Sequence, residues 1–236
     1  MLLLFDIDGT LVGRAAGAHR EALHAALLDV HGVDAQTVRS PLSPAGRTDG
    51  EIARALLLGA GVSARQIDER TLEVREACCE AYARLCPPDL SDRVLPGIVE
   101  LLQWLSDRED CRLSLVTGNF ESVARLKLAR AGVGRYFARG QGAFGSDSED
   151  RAGLPPLARR RAGTAAEPYP RDQTIVIGDT PRDIACAQAD GVRCVAVATG
   201  PYQADELLGA DEVAGDGVQL GRTLSAVLGA GYPVEP

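Results

Sequence analysis

Three apolar runs, each broken off by a short polar cluster, constrain this chain more than any other feature. LLLF at Leu2–Phe5 leads into Asp6-Ile7-Asp8-Gly9-Thr10, and LSLV at 113–116 leads into Thr117-Gly118-Asn119. TIVI at 174–177 leads into Gly178-Asp179-Thr180, with Asp183 just beyond. An unbroken apolar run suits a strand buried on both faces of a parallel sheet, whereas a half-exposed strand alternates. Further strands are expected over 137–144 and 192–197. Helices are expected over 98–105 after Pro96-Gly97, over 122–131 before Gly132, over 154–162, and over 184–189 before Gly191. Alternation of this kind predicts an α/β fold, a doubly wound parallel sheet with right-handed crossovers.

From about residue 15 to 90 the pattern is different. Ala22, Leu23, Ala26, Leu27 and Val30 recur at helical spacing, as do Ile52, Leu56 and Leu57, and no strand pattern intervenes. The expected organisation is a core of residues 1–14 and 91–236 interrupted by an α-helical domain of residues 15–90. Pro87-Pro88 marks the return, and 163–171 has the composition of an exposed loop.

In a sheet of this type ligands bind beyond the carboxyl ends of the strands, so the three polar clusters should meet at one edge. Asp6, Asp8, Asp179 and Asp183 would then crowd together, which is prohibitive without a cation. Oxygen ligands with no His or Cys among them select a hard ion, Mg²⁺ rather than zinc. A carboxylate is also a nucleophile that can form an aspartyl phosphate, and Asp6 is placed for that step. Asp8, two residues on, is placed to protonate the leaving oxygen and later activate water, and nearby anions should raise its pKa as the acid role requires. The Gly9 backbone, the Thr117 hydroxyl and the amides of Gly118 and Asn119 offer phosphoryl-oxygen contacts.

DIDGT, hydrophobic-TGN and hydrophobic-GDTPRD, in this order and spacing, resemble motifs one, two and four of the haloacid dehalogenase superfamily. The resemblance spans the chain. It implies a Rossmann-like core with the 15–90 insertion as a helical cap, and FGSDSEDRAGLPPLARRRA is similar to the phosphoglycolate phosphatase-like branch. It further implies that Asp6 is the nucleophile, Asp8 the acid and base, and Thr117 the phosphate-binding hydroxyl. Asp6, the Asp8 carbonyl and Asp179 are the implied Mg²⁺ ligands, supported from behind by Asp183.

One departure stands out. Motif three of that superfamily normally supplies a lysine beside the nucleophile, and this chain has none in that region. Its sole lysine, Lys127, lies on the helix after motif two and is expected at the solvated surface. Arg151 is the expected replacement, since a guanidinium supplies the same charge in bidentate form. Arg159, Arg160 and Arg161 form a charge run, which usually marks a solvated helix face. In the insertion, Arg47 either reaches an acidic group on the substrate or merely precedes an N-cap at Thr48 or Asp49. His19, His24 and His31 lack metal-ligand spacing and are expected in surface or packing roles.

Composition narrows the partners. With 25 basic and 33 acidic residues the 236-residue chain carries a net charge of −8, which argues against a nucleic-acid partner. The six cysteines have no CxxC spacing and read as reduced thiols. No signal-type or membrane-spanning apolar run occurs, so a cytoplasmic location and no membrane partner are expected. The expected activity is hydrolysis of a small phosphorylated metabolite, phosphoglycolate-like or a sugar phosphate, by a monomer or homodimer. The rivals are a sugar phosphomutase of the same superfamily and a non-catalytic sensor of a phosphorylated ligand. A dehalogenase would not need Asp8, and a phosphonatase would need a lysine in the insertion.

Overall fold

The computed structural model describes residues 1–13, 15–38, 43–164 and 166–232. Residue 14 at the expected domain boundary, residues 39–42 of the insertion and residue 165 of the expected loop lie outside the described residues.

The chain opens with strand β1 (Leu2–Phe5), whose four side chains are fully buried. Three helices follow: α1 (Ala16–His31), α2 (Asp49–Gly59) and α3 (Ala64–Leu85). Their ends reflect local chemistry. Thr48 caps α2 by accepting from the Glu51 amide, Ser63 and Gln66 form a reciprocal capping box on α3, and Gly32 ends α1 in the left-handed conformation. Leu23, Leu27 and Val30 of α1 and Val74, Cys78 and Tyr82 of α3 are buried in one apolar cluster, which continues into the sheet.

Alternation then resumes through α4 (Ile98–Ser106), β2 (Arg112–Thr117), α5 (Glu121–Arg130), β3 (Ala143–Phe144) and α6 (Leu154–Ala162). It finishes with β4 (Thr174–Gly178), α7 (Pro181–Asp190), β5 (Arg193–Val197), β6 (Glu212–Ala214) and α8 (Gly217–Leu228). The six strands form one parallel sheet in the order β3-β2-β1-β4-β5-β6. β1 sits between β2 and β4, so the order reverses beside it, which is where such sheets open a ligand crevice. No described helix is long and apolar enough to cross a membrane.

The expected strand over 137–144 shrinks to Ala143–Phe144. Gly140 and Gly142 take φ values of 76° and 90°, in the left-handed region. The carbonyls of Phe137 and Gln141 accept from the Arg125 guanidinium at 3.0 and 2.8 Å instead of from a neighbouring strand.

Candidate active site

Each polar cluster emerges at the carboxyl end of its strand: Asp6 just past β1, Thr117 as the last residue of β2, and Asp179 just past β4. The Asp6 amide still donates to the Ile177 carbonyl at 2.8 Å, which fixes the first turn after β1 to its neighbour. Gly9 comes next with φ +85°, and a Cβ there would fall on the Asp179 carboxylate. Only glycine lets the β1 loop approach so closely. Thr10 donates to Asp179 at 3.1 Å, and the Thr199 hydroxyl donates to the Gly9 carbonyl at 2.5 Å.

Asp6, Asp179 and Asp183 each present a carboxylate oxygen within 4.8 Å of the others, and all three are buried. Burial pushes Asp6 up to about 6, with Arg151 opposing and Asp183 and Asp8 adding. Burial, Asp183 and Asp6 push Asp179 up to about 9. Carboxylates that resist ionising together are a donor set that suits a hard divalent cation. Asp183 is already engaged: one oxygen pairs with Arg151, and the other accepts from the Thr180 amide and hydroxyl at 3.0 and 2.7 Å. That leaves Asp6 and Asp179 as the more open donors.

Arg151 is buried beside this cluster, 3.4 Å from Asp6, paired with Asp183 and donating to the Gly46 carbonyl at 3.1 Å. Burial works against its charge, and Asp183 and Asp6 more than offset that. Its Nε has no partner among the described residues. The neighbouring arginines go elsewhere. Arg159 is buried against Asp190 at 2.7 Å rather than solvated, a correction to the expected charge-run face. Arg161 pairs with Asp147, and Arg160 is exposed.

Lys127 is the second correction. Its side chain has no exposure at all, and its ammonium donates to both oxygens of Asp8 at 2.7 and 2.8 Å and to Asn119 Oδ1 at 2.8 Å. Asn119 donates to Asp8 at 2.9 Å and to the Thr117 hydroxyl at 3.0 Å. Burial works against the Asp8 charge, but the Lys127 ammonium and the hydrogen bonds from Lys127 and Asn119 outweigh it and hold Asp8 below the usual carboxylate range. This reverses the expected direction, because the nearest strong charge is a cation rather than an anion. Helical spacing carried the missed signal: Val123, Ala124, Lys127 and Leu128 share the buried face of α5.

The helical segment closes over this edge. His19 Nδ1 lies 3.5 Å from Lys127 Nζ, and its Nε2 lies 3.0 Å from Asp49, which accepts from the Phe120 amide at 2.7 Å. An ammonium can only donate, so Nδ1 accepts and Nε2 carries the proton to Asp49. The Asp49 amide donates to the Gly118 carbonyl at 2.8 Å, and Thr48 donates to the Glu149 carbonyl at 2.7 Å while capping α2. Arg47 pairs with Glu51 and donates to the Ser43 carbonyl at 2.9 Å. Between the segment and the strand ends lies a cavity of about 640 Å³, lined by Asp6, Asp8, Gly9, Gly118, Asn119 and Asp179 on one side. Arg47 and Arg151 also reach it; Thr117 is fully buried and does not line it.

Carboxylates after the central strand and its neighbour, with a buried guanidinium between them, define a carboxylate-centred α/β enzyme. The chain matches the sequence profile described as haloacid dehalogenase-like hydrolase over residues 3–188, and it belongs to that family. It is 30% identical over 208 residues to Phosphoglycolate phosphatase 1 of Pseudomonas aeruginosa, covering 84% of this chain and 70% of that one. It is 28% identical over 236 residues to "Probable phosphatase IndB" of Dickeya dadantii, covering 98% and 93%. Among solved structures, a hydrolase from Pseudomonas syringae superposes with a TM-score of 0.63 at 24% identity, covering 97% of this chain and 99% of that one. A β-phosphoglucomutase from Clostridium difficile superposes with a TM-score of 0.64 at 16% identity, covering 93% and 92%.

Proposed function

We propose that this enzyme is a Mg²⁺-dependent phosphatase of a small phosphate monoester, working through an aspartyl phosphate on Asp6. The observation that carries the reading is the Asp6 carboxylate at the end of the central strand, 3.4 Å from buried Arg151 and grouped with Asp179 and Asp183. Family membership and phosphatase relatives support it.

In the first half-reaction an Asp6 oxygen attacks phosphorus in line as the bond to the leaving alcohol breaks. Asp8 protonates the departing oxygen. In the second, water gives a proton to Asp8 and attacks the aspartyl phosphate, which releases inorganic phosphate and restores Asp6. Arg151 offsets the charge on Asp6 and on the phosphoryl oxygens, and Gly118 and Asn119, which line the same cavity, are the backbone contacts assigned to those oxygens. Asp6 and Asp179, with the Asp8 carbonyl and with Asp183 behind, would hold Mg²⁺, which supplies charge neutralisation for the carboxylates and the phosphoryl group. Asp8 stands as an anion against Lys127, poised as the base; for the acid half it must gain a proton, and its side chain, 30% exposed, is open to solvent that can deliver one. Residues 15–90 act as a cap that excludes water from the core of residues 1–14 and 91–236.

The test is phosphate release and isomerisation, scored together over a panel of phosphometabolites with Mg²⁺, for the wild type and Asp6→Asn. Loss of all turnover in the variant with the fold intact is expected. Appreciable Mg²⁺-dependent hydrolysis by Asp6→Asn would sink the reading.

A further inference from the structure

The cavity of about 640 Å³ has two unlike ends. The phosphoryl end is the carboxylate edge described above. The far walls come from the helical segment, with Leu23 of α1 and Ile52, Ala55 and Leu56 of α2, joined by Val12 beside the β1 loop. Leu23, Leu56 and Val12 are themselves buried, so these walls are part of the packed core rather than a loose rim.

Polar groups on the helical side are largely spent or weakly charged, the exception being Arg20, which reaches the cavity from the exposed side of α1. His19 and Asp49 bond to each other, and Arg47 is held by Glu51 and the Ser43 carbonyl. Burial and neighbouring Arg20 keep His24 below the usual imidazole range, so it is neutral near pH 7. Among the described residues, the helical segment lines the cavity with no hydroxyl and no amide side chain.

We propose that the leaving alcohol of the substrate carries a hydrocarbon body, aromatic or branched aliphatic, seated against Leu23, Ile52 and Leu56. This rests on the reading that the phosphoryl group sits at Asp6. A cavity of this size suits a ligand well beyond a two-carbon acid, and apolar walls contribute through burial of apolar surface. A sugar placed against Leu23, Ile52, Ala55 and Leu56 would surrender hydrogen bonds to water and find no partners among those side chains. The resulting specificity departs from that named for the phosphoglycolate phosphatase relatives.

The deciding experiment uses non-hydrolysable probes, so that it does not depend on turnover. Calorimetry on the full chain with Mg²⁺ compares benzylphosphonate with phosphonoacetate. Benzylphosphonate is expected to bind at least about tenfold more tightly, the scale of burying part of an aromatic ring. Ile52→Asn is expected to erase most of that preference while moving phosphonoacetate by less than about twofold. Equal or tighter binding of phosphonoacetate, or binding of neither probe, overturns the proposal, and the wild-type comparison decides even if the variant fails to fold. A chain that prefers benzylphosphonate yet never releases phosphate from any ester would contradict the phosphatase reading and leave the cavity assignment standing.

Discussion

Lys127 Nζ stands 2.7 and 2.8 Å from the two carboxylate oxygens of Asp8, and the ammonium is sealed from solvent while the Asp8 side chain keeps 30% of its exposure. The chain's one lysine thus serves the acid and base of the proposed mechanism, and Arg151 serves the nucleophile. The two cations are divided between the two carboxylates of DIDGT.

Replacing Lys127 by Gln removes the main influence that lowers the Asp8 pKa. Asp8 must be anionic to act as base, so the acidic limb of the pH–rate profile should move to higher pH. Loss of the charge that positions Asp8 should lower kcat by about 10²-fold or more, with KM changed far less. Stability should fall by about 1–3 kcal/mol, below the cost for a fully buried pair because Asp8 is partly exposed. An unmoved pH profile would separate Lys127 from the chemistry.

Metal binding should be strongly pH-dependent. Asp6 and Asp179 have folded values of about 6 and about 9 against an ordinary 3.8. Carboxyls raised on folding stabilise the native state below the unfolded value, and that stabilisation is lost as pH rises through the folded values. The metal-free chain should therefore lose stability between about pH 4 and about pH 9, while a cation replaces the protons. The rise in Tm on adding Mg²⁺ should be larger near about pH 8 than near about pH 5.5. A shift that shrinks with pH would show that these carboxylates do not hold the ion.

Arg151→Ala should reduce kcat by about 10²-fold or more, and the exposed Arg160→Ala by less than about twofold. Arg151→Lys should recover only part, because an ammonium lacks the planar fork by which one guanidinium nitrogen meets Asp6 and Asp183 while another reaches the Gly46 carbonyl. Comparable kinetics for the two alanine variants would end the assignment of Arg151.

Gly118→Ala should separate the helical segment from the core. The added Cβ would fall on the Arg47 carbonyl, next to the contact between the Asp49 amide and the Gly118 carbonyl. Overpacking of this kind costs about 1–3 kcal/mol, and kcat/KM should fall by about tenfold as water enters. Faster proteolysis between residues 15 and 90 would locate the loosened part; wild-type resistance there would mean that the contact yields without opening.

The residues at strand ends were legible because LLLF, LSLV and TIVI suit strands buried on both faces, and a parallel sheet delivers the polar residues at their carboxyl ends to one edge. Arg151 was expected from the resemblance, as the stand-in for a motif-three lysine, and its guanidinium does lie 3.4 Å from Asp6. Lys127 was not legible, because its turn-mates decide whether it points inward and a charged side chain among them reads as surface. Arg159 failed for the same reason, its partner Asp190 lying on another helix. The link from Lys127 through His19 and Asp49 to the Phe120 amide joins three segments distant in the chain, and only the packed fold brings them together. Over 137–142, apolar residues suggested a strand that left-handed glycines and the Arg125 guanidinium prevent.

The central claim is that phosphorus is carried on Asp6. Acid quenching during turnover with Mg²⁺, then borohydride reduction and mass spectrometry of the amino-terminal peptide, should find homoserine at position 6, the reduction product of an aspartyl phosphate. Steady phosphate release with unmodified Asp6 throughout would contradict it.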